Sequence, residues 1–349
     1  MEPDLNCIRT EANARCYVCG QEGKPLYEKI EDHQFGVPGL WSLKRCGNPS
    51  CGLVWLDPRP VLEDIHKLYA EYYTHSVIKP SNEALTEKAD EGPTRFRKSL
   101  LFLASVFGKS ATDVERFVAF TRKVRSRLTR QYEEHEANHM WLTRVEPGRL
   151  LDVGCGSGSF LKMMRDLSWV VTGVEVDINA VAVAREEFGL NVLQSDLFSA
   201  KFEDNFFDAV TLGHVIEHVS DPAALLRECK RVLKPGGKLV ITTPNIKSLG
   251  HRLFCSDWRG LEPPRHFHIF SNNTLEAVAI KSGLYSVSIH STSRLVPYIW
   301  DCSVNIKRCR TSAACKSPGR FMANMFHRME FILCHFLCVG EEICLIAIK

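Results

Sequence analysis

Three carboxylates and three glycines carry the first chemical signal in this chain. In RLLDVGCGSGSFLKMM (Arg149 to Met164), Asp152 precedes Gly154, Gly156 and Gly158, which alternate with Cys155 and Ser157. Glycines at this spacing let a strand turn sharply into a helix, and they let backbone approach a ligand with no Cβ in the way. About 20 residues on, VVTGVEVD ends on Glu175 and Asp177, and SDLF then supplies Asp196 with Leu197 beside it. A carboxylate at such a strand end can accept hydrogen bonds from hydroxyl or amino groups. GHVIEHV adds His214, Glu217 and His218, and EPPRHFHIF adds Arg265, His266 and His268. Histidine is the side chain whose ordinary pKa suits proton removal near neutrality.

A second signal lies near the beginning. Cys16, Cys19, Cys46 and Cys51 follow the pattern C-x2-C-x26-C-x4-C, and each pair is followed by a glycine, Gly20 or Gly52. Four thiolates satisfy the tetrahedral preference of Zn²⁺, and a site closed in this way is structural. Scattered free thiols are the competing reading. The other ten of the fourteen cysteines show no paired spacing of this kind.

These residues need elements to position them. Leu150–Val153 reads as a buried strand, with a helix from about Ser159. VVTGVEVD, NVLQSDLF, FDAVTLGHVIEHV and KPGGKLVITTPN read as four further strands. A helix starts at Asp221 with Pro222 in its first turn, and Asp177 reads as the cap of a helix from Ile178. NTLE (Asn273 to Glu276) has the form of a capping box. LYSVSIHS and EEICLIAIK supply two late strands. Strands alternating with helices at this spacing predict an α/β fold with an open, mostly parallel, doubly wound sheet, whose ligands bind beyond the strands' carboxyl ends. A dinucleotide fingerprint fails, because Ser159 stands where its third glycine belongs.

Composition bounds the rest. The 349 residues are 45% hydrophobic and 24% charged, with a formal net charge of +3, which argues against a dedicated nucleic-acid binder. No signal peptide is read at the start, and the longest apolar run, FILCHFLCVG, is too short to span a bilayer. A reducing, cytoplasmic setting is therefore expected. LEDIHKLYAEYY (Leu62 to Tyr73) has helical spacing, and residues 76–97 read as a loop. Ser99 to Arg130 reads as a helix in which Arg116, Arg122, Lys123, Arg125, Arg127 and Arg130 interleave with apolar positions. That helix would either face an anionic ligand or a membrane surface, or pack with a solvated face on the next domain.

The glycine turn, GVEVD, SDLF, the GHVIEHV strand and LKPGGKLVITTPN, in this order, resemble the class I S-adenosylmethionine-dependent methyltransferases over about Pro147 to Thr292 and the final strand. The resemblance implies a Rossmann-like seven-stranded sheet, the last strand antiparallel between the fifth and sixth. It implies a cofactor held by Asp152, Gly154, Cys155, Gly156, Gly158, Glu175, Asp196 and Leu197, with His214 beside the sulfonium. A Cβ at any of the three glycines would then push the cofactor away. The N-terminal cysteines, LVWLDPRP, HVIEHV and LEPPRHFHIFSNNTLEAV together resemble a bacterial-type subgroup with a zinc-ribbon-like N-terminus, often linked to sugars or polysaccharide precursors. A further resemblance is to ubiquinone-pathway O-methyltransferases, whose E-x-x-E-H motif here has His214 in place of its first Glu; a divalent metal on His214, Glu217 and His218 is one consequence.

The expected organisation is a zinc-ribbon-like module (1–75), a linker and helical lid (76–146), an S-adenosylmethionine-binding core (147–292), and a helical insertion with the last strand (293–349). The expected activity is methyl transfer to a small-molecule acceptor, a sugar nucleotide or polysaccharide precursor. The alternatives are a quinone or phenol, or no catalysis at all, with the zinc ribbon and basic helix binding a partner. His218 or His266 is expected as general base, with His214, His268 and Glu217 nearby and Arg265 positioning an anionic group.

Overall fold

The computed structural model describes residues 8–69, 130–311, 330, 331, 333 and 337–349. Most of the basic helix expected over Ser99 to Arg130, and residues 332 and 334–336 of FILCHFLCVG, lie outside the described residues. The chain divides into two compact units, residues 1–77 with 139–349, and residues 78–138. Within the second, Arg130–Asn138 is helical.

The larger unit holds the doubly wound sheet. Its strands are β6 (Arg149–Val153), β7 (Val170–Glu175), β8 (Val192–Gln194), β9 (Phe207–Gly213), β10 (Leu233–Pro244), β12 (Tyr285–Thr292) and β13 (Glu342–Ile348). Their order across the sheet is β12-β13-β10-β9-β6-β7-β8. Neighbours from β8 to β10 pair in parallel, whereas β13 is antiparallel to both β10 and β12. This is the Rossmann-like arrangement that the order of motifs implies. Parallel strands are covered on both faces, which explains their near-continuous apolar runs. Helix Pro222–Val232 shows the complementary pattern: Leu225, Leu226, Cys229 and Val232 are buried at helical spacing, and the Asp221 side chain caps its first turn. Leu226 is fully buried, so truncating it to Ala would cost about 2–5 kcal/mol.

The first 60 residues form β1 (Thr10–Glu11), β2 (Gly23–Ile30), β3 (Trp41–Cys46), β4 (Val54–Leu56) and β5 (Arg59–Pro60). β2, β3 and β4 make an antiparallel sheet whose fourth strand, β11 (His268–Ile269), comes from the EPPRHFHIF loop more than 200 residues later. His268 pairs with Trp55, and Ile269 with Val54. The N-terminal region and the core therefore share a sheet. They also share an apolar cluster that includes Trp41, Leu43, Leu56, Trp258, Phe267 and Ile269.

Leu62–Tyr69 is helical, in the 3-10 form. One local expectation is corrected. The capping box of helix Asn272–Lys281 is Ser271 with Thr274, not Asn273 with Glu276: the Ser271 N–H donates to Thr274 Oγ1 at 2.8 Å.

Candidate functional site

The glycine turn leaves β6 and enters helix Ser159–Asp166. Gly154, Gly156 and Gly158 all have positive φ, at 70°, 51° and 81°. Beyond that shared left-handed conformation they differ. A Cβ on Gly154 would stand 2.6 Å from Val215 Cγ2, and one on Gly158 would stand 2.5 Å from Leu190 Cδ1. A Cβ on Gly156 would meet nothing within 4 Å. Two of the three glycines thus make room for protein, and Gly156 borders open space. Cys155 turns its side chain into an apolar cluster with Leu161 and Val192, so only its backbone is available to a ligand.

Glu175 ties the turn to β7. Its Oε2 accepts from Gly156 N–H at 2.8 Å, and its Oε1 from Val176 and Asp177 N–H at 2.8 and 3.0 Å. A carboxylate has about four lone-pair sites, so one remains for a ligand hydroxyl. Asp177 caps its helix, accepting from Asn179 and Ala180 N–H. Asp152 is buried and accepts from the Thr211 hydroxyl at 2.7 Å. Burial pushes its carboxyl up to about 7, against the pull of the Thr211 bond. Asp196 accepts from the Ser199 amide and hydroxyl at 2.9 and 2.7 Å; partial burial pushes its carboxyl up, but the Ser199 bonds leave it below its ordinary value. The Leu197 side chain is buried. Sequence reasoning missed Val176 and Phe198, which are 69% and 52% exposed at the carboxyl ends of β7 and β8. Exposed apolar groups beside carboxylates at strand ends suit the face of a planar ring. The available signal was an apolar residue directly after Glu175 and another just after Leu197.

The histidines sort into three environments. His214, with φ +56° at the end of β9, spends both ring nitrogens on carboxylates: Nδ1 on Glu217 at 3.2 Å and Nε2 on Glu342 at 2.7 Å. Burial alone would lower its pKa, but the two carboxylates raise it to about 10, which removes His214 as a neutral base. His268 is buried, packs on the Tyr17 ring and bonds the Val219 carbonyl through Nδ1. Burial lowers its pKa to about 4. Its place is the junction with β4, not the cluster of the other two.

His218 and His266 do come together, with ring centroids 4.7 Å apart. His218 Nδ1 lies 3.1 Å from the Arg265 carbonyl and 3.1 Å from the Tyr69 hydroxyl. His266 Nδ1 lies 2.9 Å from the Gly260 carbonyl. A carbonyl can only accept, so each Nδ1 carries a proton; His266 Nε2 lies 3.5 Å from Glu262 Oε2. Burial lowers the pKa of His266 to about 4 and keeps it neutral. Donor atoms of Glu217, His218 and His266 all lie within 4.8 Å of one another. The metal-ligand set expected on His214, Glu217 and His218 is corrected accordingly, with His266 in place of His214.

Arg265 is fully buried. It bonds Glu262 at 2.9 Å through Nε and Asp32 at 2.8 Å through a terminal nitrogen. Two carboxylates already neutralise it, so the structure does not support the expected role on an anionic group of the acceptor. Asp32, Tyr69 and Glu262 were not singled out in sequence, since their partners are set by tertiary contacts.

The four cysteines meet as expected. Cys16 and Cys51 Sγ are 3.6 Å apart, and Cys19 and Cys46 Sγ are 3.3 Å apart. Zinc–sulfur bonds of about 2.3 Å imply sulfurs roughly 3.8 Å apart in a tetrahedron, so the donor set fits. Gly20 and Gly52 have φ of 73° and 68°, and the Asn48 amide points at Cys46 Sγ at 3.4 Å.

Residues 120–289 match the family model described as a methyltransferase domain. Over these residues the chain is similar to methyltransferases. Its seven-stranded sheet has the class I S-adenosylmethionine-dependent methyltransferase fold. The domain is 42% identical over 103 residues to a ubiquinone biosynthesis O-methyltransferase of Xanthomonas oryzae pv. oryzae, covering 28% of this chain and 43% of that one. It is 35% identical over 146 residues to one of Xanthomonas campestris pv. campestris, covering 38% and 61%. The chain thus spans about half the length of these curated relatives. Among solved structures, a SAM-dependent methyltransferase from Archaeoglobus fulgidus matches 67% of this chain and 99% of its own at 20% identity and a TM-score of 0.43. Among the described residues of the methyltransferase domain and its surroundings, no helix is long and apolar enough to cross a membrane.

Proposed function

We propose that the protein transfers a methyl group from S-adenosylmethionine to a hydroxyl of a small phenolic or quinol-type acceptor. The observation that carries this is the pair His218 and His266, each with its Nδ1 on a carbonyl and a donor atom within 4.8 Å of Glu217. When bound, the cofactor supplies an activated sulfonium methyl. With cofactor and acceptor in place, one of the two histidines would take the acceptor hydroxyl's proton as the methyl is transferred. The protein's own work is alignment and proton removal. Gly156 and Asp152 would hold the methionine portion, Glu175 one ribose hydroxyl, and Val176 and Phe198 the adenine. Neutralisation of Arg265 weakens the case for a sugar-nucleotide phosphate, and the names of the curated relatives support a phenolic acceptor. The four cysteines would hold one structural Zn²⁺. Thiols kept for zinc suit a reducing, cytoplasmic setting.

The test is an assay of the full chain with methyl-labelled cofactor against a phenolic pool and a sugar-nucleotide pool. Label is expected on a phenolic hydroxyl. His218→Ala or His266→Ala should lower turnover by about 10²-fold with cofactor affinity nearly unchanged. Label confined to sugar nucleotides would overturn the acceptor class, and failure to bind S-adenosylhomocysteine would overturn the activity.

The convergence of Glu217, His218 and His266 favours a second reading, in which a divalent cation sits there and orients the acceptor oxygen. Turnover abolished by chelation and restored by one divalent cation would select it. Turnover indifferent to chelation would leave the histidines as bases.

A further inference from the structure

Antiparallel insertion of β13 has a topological result. Its first residue, Glu342, pairs with Pro244 at the far end of β10 and with Thr292 at the far end of β12. The last strand thus begins where the parallel strands finish, at the ligand end of the sheet. Glu342 is fully buried. Arg294 donates to its two oxygens at 3.0 and 3.2 Å, and its Oε1 takes His214 Nε2 at 2.7 Å. His214 Nδ1 then meets Glu217 Oε1, and Glu217 Oε2 accepts from the Thr243 hydroxyl at 2.9 Å. The chain of groups is continuous from Arg294 to Glu217, whose donor atoms also approach His218 and His266.

Such a chain is costly. Each ion gives up hydration, and well-packed apolar residues would often serve stability as well or better. Arg294 and Glu342 also lie outside the residues matched by the domain family, 120–289. The exposed part of the His214 side chain, about a third of it, must be a C–H edge, because both nitrogens are taken.

We propose that Arg294 and Glu342 are positioning residues of the methyl-transfer site, acting through His214 to hold Glu217 against His218 and His266. His214 is then a fixed bridge between carboxylates. The inference rests on the methyltransferase reading for its purpose, and on the hydrogen-bond chain for its geometry.

The experiment uses the full chain labelled with ¹⁵N-histidine, with His214→Gln to assign the His214 ring. Protected ring N–H signals from both His214 nitrogens are expected in the wild type. Glu342→Gln and Arg294→Met should alter them and should also shift the His218 and His266 rings. Arg294→Lys should restore the wild-type pattern. Affinity for S-adenosylhomocysteine by calorimetry should stay within about twofold throughout. Unchanged His214, His218 and His266 signals in Glu342→Gln would overturn the proposal, as would a tenfold or greater loss of affinity, which would assign the chain to cofactor binding. If Glu342→Gln does not fold, Arg294→Met against Arg294→Lys decides by the same spectra. A wild type that shows the ring signals but binds no S-adenosylhomocysteine would refute the methyltransferase reading alone.

Discussion

Gly156 and Gly158 make opposite demands although they are two residues apart. Gly156→Ala adds a methyl to open space and carries only the strain of left-handed backbone, so melting temperature should fall less than in Gly158→Ala while S-adenosylhomocysteine affinity falls tenfold or more. Gly158→Ala drives a methyl into Leu190 and Ala184 and should lower the melting temperature by several degrees. Calorimetry and thermal melts on the two variants separate the effects; equal affinity in Gly156→Ala and wild type would remove the cofactor from that face. Asp152 makes a pH-dependent prediction. Its folded pKa of about 7 lies above the unfolded value of about 3.9, so the native state holds this proton more tightly. Its contribution to stability is full below the unfolded value and is lost as pH rises toward 7. Cofactor binding runs the other way, because an ammonium group needs the ionised carboxylate. Affinity should therefore fall as pH drops below 7, by up to about tenfold per unit, and Asp152→Asn should flatten the profile. A flat wild-type profile between pH 5.5 and 8 would exclude Asp152 from ammonium binding. Residues that act through neighbours in sequence, such as Gly156, Glu175 and the Asp177 cap, were legible in the sequence. Arg265 and His214 were misread because their partners Asp32 and Glu342 lie 233 and 128 residues away, beyond any local pattern.

Strands announced themselves by apolar runs ending in turn residues, and all seven core strands fall where those runs lie. β11 did not, since two residues carry no periodicity and His268 has the look of chemistry. Its pairing with β4 connects the cysteine cluster to the loop bearing His266. One zinc per chain is expected by elemental analysis, and Cys46→Ser should lose it and lower the melting temperature. Hydrogen exchange should then rise at Trp55, His268 and Ile269, while the glycine turn stays protected. Unchanged zinc content and melting temperature in Cys46→Ser would refute the site. The hydroxyl of Tyr17, between the first two cysteines, adds a second tie: it donates to Asp221 and accepts from the Ala223 amide.

Among the described residues of the larger unit, two networks of charge are buried. Asp32, Arg265, Glu262 and Arg259 form one buried network, and Arg294, Glu342, His214 and Glu217 form another. A chain lacking residues 1–69 keeps every strand of the large sheet. It loses the Asp32 counter-ion, the β4 edge beneath β11, and Tyr69 beside His218. It should be far less soluble than the full chain, or bind cofactor without turning over acceptor; full activity from the shortened chain would show the N-terminal region to be dispensable.

The shared sheet also sets a timetable for synthesis. β4 leaves the ribosome more than 200 residues before His268 and Ile269, a wait of roughly 10–40 s at ordinary elongation rates. Through that interval its edge is an unpaired strand of Val54, Trp55 and Leu56, the kind of surface that recruits other nascent chains. The cysteines have already emerged, so early metal capture would secure the hairpin while the edge waits for its partner.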